Sequence, residues 1–195
     1  KLNSQPVNVV TFTLSSSDAN EGDVTNPAGK TVTFTSVNWN TNQTITVTGI
    51  NDDIDDGNIA YQINISNATS ADTKYSGLFA TNVNVTNNDN DTAGFTVSAI
   101  SNTTSENATT ATFTVRLNSK PATDDDNYVV VVNVESNDTG EGTVDKASLT
   151  FDHNNWNVNQ TVTVTGVNDN LVDGSISYSI VLTVDGTSTT DAIYD

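Results

Sequence analysis

The chain contains no cysteine and no methionine. Without cysteine there is no disulfide framework and no thiolate metal site. Without methionine there is no initiator residue, and the expectation is a piece of a longer polypeptide. Cations are scarce as well. Lys and Arg together number 6 against 24 Asp and Glu, for a formal charge of −18 over 195 residues. Nucleic acid and anionic membrane surfaces both call for clustered Lys and Arg, so this balance excludes them as partners. It suits a protein that binds hard cations or works outside the cell. No apolar run approaches the roughly 18 residues that a membrane-spanning helix needs. The single histidine, His153, stands beside Asn154 and reads as a loop residue rather than a catalyst. No segment combines a 3.6-residue apolar period with helix caps, so essentially no helix is expected.

What the sequence does have is a long recurrence. Asn38-Trp39-Asn40-Thr41-Asn42-Gln43-Thr44-Ile45-Thr46-Val47-Thr48-Gly49-Ile50-Asn51-Asp52 returns as Asn155-Trp156-Asn157-Val158-Asn159-Gln160-Thr161-Val162-Thr163-Val164-Thr165-Gly166-Val167-Asn168-Asp169. The only two tryptophans stand 117 residues apart at equivalent positions. A recurrence at fixed period indicates one structural unit used twice. Inside the unit, Thr44 to Ile50 alternates polar with β-branched apolar residues, the pattern of a half-buried strand. Ile59, Tyr61, Ile63 and Ile65 resume the alternation after an acidic loop. A whole unit holds about seven such strands joined by short loops, which predicts an all-β chain of tandem antiparallel Ig-like β-sandwiches. The boundary is placed near residue 91, giving repeats over 1–91 and 92–195. Leu2-Asn3-Ser4-Gln5-Pro6 aligns with Leu117-Asn118-Ser119-Lys120-Pro121, so the first repeat is expected to lack its opening strands and the second its closing strand. Open sheet edges seek partners. The expected partners are neighbouring repeats of the same chain or identical subunits, by strand completion or end-to-end assembly.

The chemistry-bearing residues are acidic. Asp52, Asp53, Asp55 and Asp56 crowd one loop and repel unless a cation neutralises them, the alternative being a solvated acidic turn. Consecutive strands of an antiparallel sandwich reverse direction, so every second loop lies at the same end. That rule collects Glu106, Asp138, Glu141, Asp52, Asp169, Asp89 and Asp91 at one pole of their units. Calcium takes six to eight oxygen ligands at flexible geometry, whereas magnesium prefers a tighter octahedron. A glycosidase reading needs a cleft and one shielded acid, and these acids sit in polar turns. Trp39 and Trp156 fit either sugar stacking or anchoring of the sandwich end.

Ser105-Glu106-Asn107-Ala108-Thr109-Thr110-Ala111-Thr112-Phe113-Thr114-Val115-Arg116-Leu117, then Leu149-Thr150-Phe151, then Thr161 to Asp169 resemble the Calx-beta family of β-sandwich repeats, in particular its bacterial surface-array relatives. The resemblance covers nearly the whole chain. It implies calcium bound by a glutamate before the second strand, here Glu106, and by aspartates after the fifth, here Asp52, Asp53 and Asp169. It adds a closing aspartate cluster, Asp89 and Asp91, and a following acidic position, Asp56 and Asp173. Asn170 departs from the pattern, where the family often has a second aspartate. The implied function is a non-enzymatic structural repeat of an extracellular cell-surface array, a stalk, adhesin or filament made rigid by calcium at the domain poles and the joint. Asp124, Asp125 and Asp126 are expected to add carboxylates toward that joint. The alternative is an adhesive domain that binds carbohydrate or a protein partner.

Overall fold

The structure, a computed structural model, describes residues 1–122 and 127–195. Alternation of buried apolar side chains with threonine writes the strands. In Thr110–Leu117 the buried residues are Ala111, Phe113, Val115 and Leu117, each separated by one polar or charged residue. The described residues form fourteen strands and no helix, as the missing 3.6-residue period requires. Named pairings between strands are all antiparallel.

The chain divides into two compact units, residues 1–52 with 57–89, and residues 53–56 with 90–195. The first holds β1 (Val10–Ser16), β2 (Gly22–Asn26), β3 (Thr31–Phe34), β4 (Thr46–Gly49), β5 (Ile59–Ile65), β6 (Thr69–Ser70) and β7 (Val83–Asn87). One sheet runs β3-β1-β5-β7, with β6 also on β1, and the other is the pair β2-β4. Val10 and Leu14 of β1, Val24 of β2, Val32 and Phe34 of β3, and Tyr61 and Ile63 of β5 share one core. Phe12 meets Phe34 edge to face at 6.3 Å.

The second unit holds β8 (Phe95–Val97), β9 (Thr110–Leu117), β10 (Val130–Ser136), β11 (Gly142–Val144), β12 (Ser148–Phe151), β13 (Gln160–Gly166) and β14 (Ile180–Val184). Its sheets run β12-β10-β14 and β11-β13-β9-β8. Both contribute to one core, Val130, Val132, Val134, Leu149 and Phe151 from one and Phe113, Val115, Leu117, Val162 and Val164 from the other. That is sandwich packing. Each such side chain contributes about 1.5–3 kcal/mol of burial.

Residues equivalent in sequence pair in the same way. Gly22 faces Gly49 and Val24 faces Val47, as Gly142 faces Gly166 and Val144 faces Val164. The backbone N–H of Leu2 donates to the Trp39 carbonyl at 2.7 Å, and that of Leu117 to the Trp156 carbonyl at 2.8 Å. Trp156 packs against the core, which favours the anchoring role. A buried tyrosine ties each unit to its Leu-Asn-Ser segment: Tyr75 Oη donates to the Ser4 carbonyl at 2.6 Å, and Tyr194 Oη to the Ser119 carbonyl at 2.7 Å. A buried aspartate stands three residues before each tyrosine. Asp72 accepts from the N–H groups of Val7 and Lys74, and Asp191 from those of Ala122 and Ile193.

The strands depart from the sequence reading in three places. β2 and β11 lie where the sequence reads as loop, because each carries a single apolar side chain, Val24 or Val144, and so shows no alternation. β4 covers only Thr46–Gly49 of the expected Thr44–Ile50. β14 begins at Ile180, although its counterpart β5 begins at Ile59, the equivalent of Ile176. A strand persists where a neighbour takes up its backbone groups. Among the described residues β4 pairs only with β2, and β14 only with β10.

Candidate metal centre

The geometry of the second unit starts from a turn. Ser136 Oγ and Asp138 exchange hydrogen bonds, Asp138 Oδ1 accepts from Gly140 N–H at 3.0 Å, and the Asp138 carbonyl accepts from Gly142 N–H at 3.1 Å. This delivers Glu141 to the end of β11. The Glu141 carbonyl then accepts from Val167 N–H at 2.9 Å, which pins the turn beside the end of β13. Glycine at 142 is required by packing, since a Cβ there would overlap the Tyr178 ring. Beyond β13, Asp169 Oδ1 accepts from Leu171 N–H at 2.8 Å, and Asn170 adopts a left-handed φ of 65°. Gly174, at φ 82°, closes the loop that carries Asp173.

The outcome is three carboxylates in one place. Oxygens of Glu141, Asp169 and Asp173 lie within 4.8 Å of one another. Burial raises the Glu141 carboxyl above the usual glutamate range, and the like charges of Asp173, Asp169, Asp138 and Glu106 raise it further. A recess of about 700 Å³ adjoins the cluster, and Glu106 and Glu141 both line it.

In the first unit Glu21 and Asp52 also present carboxylate oxygens within 4.8 Å. Ile50 N–H donates to the Glu21 carbonyl at 3.0 Å, the counterpart of Val167 and Glu141. Asp56 follows Asp52 in sequence as Asp173 follows Asp169, and Gly57 has φ 76° where Gly174 has 82°. The same local construction is used twice.

The structure thus brings Asp169 and Asp173 together with Glu141, and Asp52 together with Glu21. Of the other expected ligands, Glu106 lies near enough for its charge to raise the Glu141 carboxyl, and Asp53, Asp89 and Asp91 are held in hydrogen bonds. The Asp53 carbonyl accepts from Lys120 N–H at 2.7 Å. Asp89 Oδ2 accepts from Gly57 N–H at 2.8 Å, and the Asp91 carbonyl accepts from Thr92 Oγ1 at 2.8 Å. Glu106 lies in the recess lining. Asp124, Asp125 and Asp126 lie outside the described residues. The resemblance names neither central glutamate as a ligand, Glu21 or Glu141, although the alternation of loops places Glu141 at the acidic pole. Their signal was present: Asp18-Ala19-Asn20-Glu21-Gly22 and Asp138-Thr139-Gly140-Glu141-Gly142 share an Asp-x-x-Glu-Gly pattern.

No protein-family model matches the chain, and no curated protein does. The functional reading therefore rests on the residues themselves.

Proposed function

We propose that this chain is a non-enzymatic structural module of an extracellular bacterial surface array, built of tandem Ig-like, Calx-beta-like repeats and stiffened by calcium. The observation that carries the reading is the Glu141–Asp169–Asp173 cluster, in which burial first and then the neighbouring negative charges raise the Glu141 carboxyl. Carboxylates that backbone turns hold together against one another's repulsion become stabilising once a cation sits among them. The Asp-x-x-Glu-Gly turn and the Asp-x-x-x-Asp spacing occur in both repeats, as a modular array requires. In this reading calcium fixes the sandwich poles and the joint between repeats, and neighbouring repeats or identical subunits are the partners. X-ray scattering of the full chain in calcium and in EDTA tests it. Calcium should reduce flexibility without changing β content. Identical scattering profiles in the two conditions would count against a stiffening role.

The adhesive alternative has one observation in its favour. The 700 Å³ recess is lined by hydroxyl and amide side chains, among them Asn102, Thr103, Thr104 and Ser177, and its size suits a small ligand. NMR titration with simple sugars distinguishes the two: shifts confined to those residues would support adhesion.

A further inference from the structure

Four residues lie in one repeat by sequence and in the other unit by structure. Asp53-Ile54-Asp55-Asp56 falls between β4 and β5 of the first repeat, yet it belongs to the second compact unit. Ile54 forms a parallel β-bridge with Lys120. The Asp53 carbonyl accepts from Lys120 N–H at 2.7 Å, and Asp55 Oδ2 accepts from Ala93 N–H at 2.7 Å. Ile54 and Asp55 are half-buried, while Asp53 and Asp56 on either side are exposed. Ala93 in turn packs against the second core. The receiving segment is fixed from within its own unit. Asn118 N–H donates to the Gly94 carbonyl, Ser119 N–H to Tyr194 Oη and Ala122 N–H to Asp191 Oδ2, and Pro121 has no N–H. Backbone donors at such a site need partners. That leaves the Lys120 N–H, which the segment 53–56 takes up.

We propose that the surface formed by Ala93 and Lys120 is a receptor for an extended Asp-aliphatic-Asp segment, and that its occupant is the β4–β5 loop of the preceding repeat. The receiving unit is then completed by its neighbour and gains stability from it, the nearest-neighbour coupling of repeat proteins. The proposal rests on the repeat reading and not on calcium. An extended segment that pairs backbone to backbone draws affinity from its main chain and selectivity from its side chains. Here the main-chain part is the Asp53 carbonyl and the bridge at Ile54. Selectivity comes from the Asp55 carboxylate, because a charged acceptor binds a backbone N–H more strongly than a neutral one. Asp55 stands outside the clustered carboxylates of the described residues, so its role at Ala93 is separate from any ion. The second repeat has Leu171 where the first has Ile54, and Val172 where it has Asp55. The aliphatic anchor is common to both loops and the carboxylate is particular to the first, so the two loops are not interchangeable at this receptor.

The test uses the full chain in Trp39→Phe and Trp156→Phe backgrounds, where the remaining tryptophan reports one unit at a time. Asp55→Val installs the second repeat's residue and takes the acceptor away from Ala93 N–H. The melting midpoint reported by Trp156 should fall by roughly five degrees or more, while that reported by Trp39 stays where it was. Amide exchange at Ala93 should accelerate by about tenfold or more, since its protection depends on the docked segment. A second arm pairs Ile54→Cys with Lys120→Cys in a chain that has no other cysteine. Bridged partners are close enough for a disulfide, so this pair should oxidise several-fold faster than Ile54→Cys with Arg116→Cys, whose second thiol lies about 13 Å back along an extended strand. Each arm is run in calcium and in EDTA, so a failure of the calcium reading leaves this result intact, and the reverse. An unchanged Trp156 midpoint, unchanged exchange at Ala93, or equal oxidation of the two cysteine pairs would overturn the proposal. So would an equal fall in both midpoints, which would make Asp55→Val a defect of the first unit's own fold.

Discussion

Replacing Tyr194 with phenylalanine removes one oxygen from the centre of the second unit's tie and leaves the ring in place. That oxygen donates to the Ser119 carbonyl at 2.7 Å, accepts from Ser119 N–H at 3.1 Å, and lies 2.8 Å from Ser119 Oγ. Ser119 is 0% exposed and Tyr194 is 7% exposed. Water has no path to the orphaned serine groups, so the loss should be the full cost of buried unsatisfied polar atoms, about 1–3 kcal/mol. The ring's contact with Phe95, centroids 5.9 Å apart, is kept, which isolates the hydroxyl. The first unit provides the control. Tyr75 makes two of these three bonds to Ser4, at 2.6 Å to the carbonyl and 2.7 Å to Oγ, and Ser4 is exposed. Water then replaces the hydroxyl, and Tyr75→Phe should cost about 0.5–1 kcal/mol. Each unit carries one tryptophan. Urea unfolding followed by fluorescence in Trp39→Phe or Trp156→Phe backgrounds therefore reports one unit at a time. A Tyr194→Phe loss no larger than that of Tyr75→Phe would refute the burial argument.

Two further outcomes follow from packing and charge. An alanine Cβ at Gly166 would lie 2.8 Å from backbone atoms of Ser105, which cannot swing aside, whereas at Gly49 it would meet the Asn87 side chain at 2.5 Å; Gly166→Ala should therefore cost about 1–3 kcal/mol and Gly49→Ala less, by thermal melts of each. The Glu141 carboxyl is raised by burial and neighbouring acids, so the folded state holds its proton more tightly than the unfolded state, and its contribution is present below the ordinary glutamate value and lost as pH rises through the raised one. In EDTA, Glu141→Gln should thus raise Tm at pH 7 and leave it unchanged near pH 4; a lower Tm at pH 7 in EDTA would contradict the repulsion.

The sandwich strands were legible because their cores impose strict alternation. Phe113, Val115 and Leu117 announce a strand without any knowledge of its neighbours. The edge strands β3, β7 and β8 were legible too, but β2 and β11 were not: each carries one apolar residue among glycine and polar ones, Val24 or Val144, and they pair with β4 and β13. The extent of pairing shortens β4 and β14, whose alternation runs on beyond it. For the metal centre, Asp52 and Asp169 were readable from the acidic loop after a recurring strand. The loop rule puts Glu141 at the same pole, while its pairing with Asp169, and that of Glu21 with Asp52, was not readable from the turns that lead into β2 and β11. Their place beside the aspartates depends on a register that only the folded sheet fixes. The tyrosine ties were hidden for a related reason: Ser119 and Tyr194 are far apart in sequence and joined only by packing.

The most direct test of calcium as the stiffening ion is a pair of melting curves, the full chain in millimolar calcium and in EDTA, repeated for Glu141→Gln combined with Asp169→Asn. Ligand at a hundredfold excess over its dissociation constant adds about 2.7 kcal/mol, which for a unit of this size moves Tm by roughly ten degrees or more. The account predicts that shift for the native chain in the second unit's transition, and its loss in the double variant. Superimposable curves for the native chain in calcium and in EDTA would contradict it.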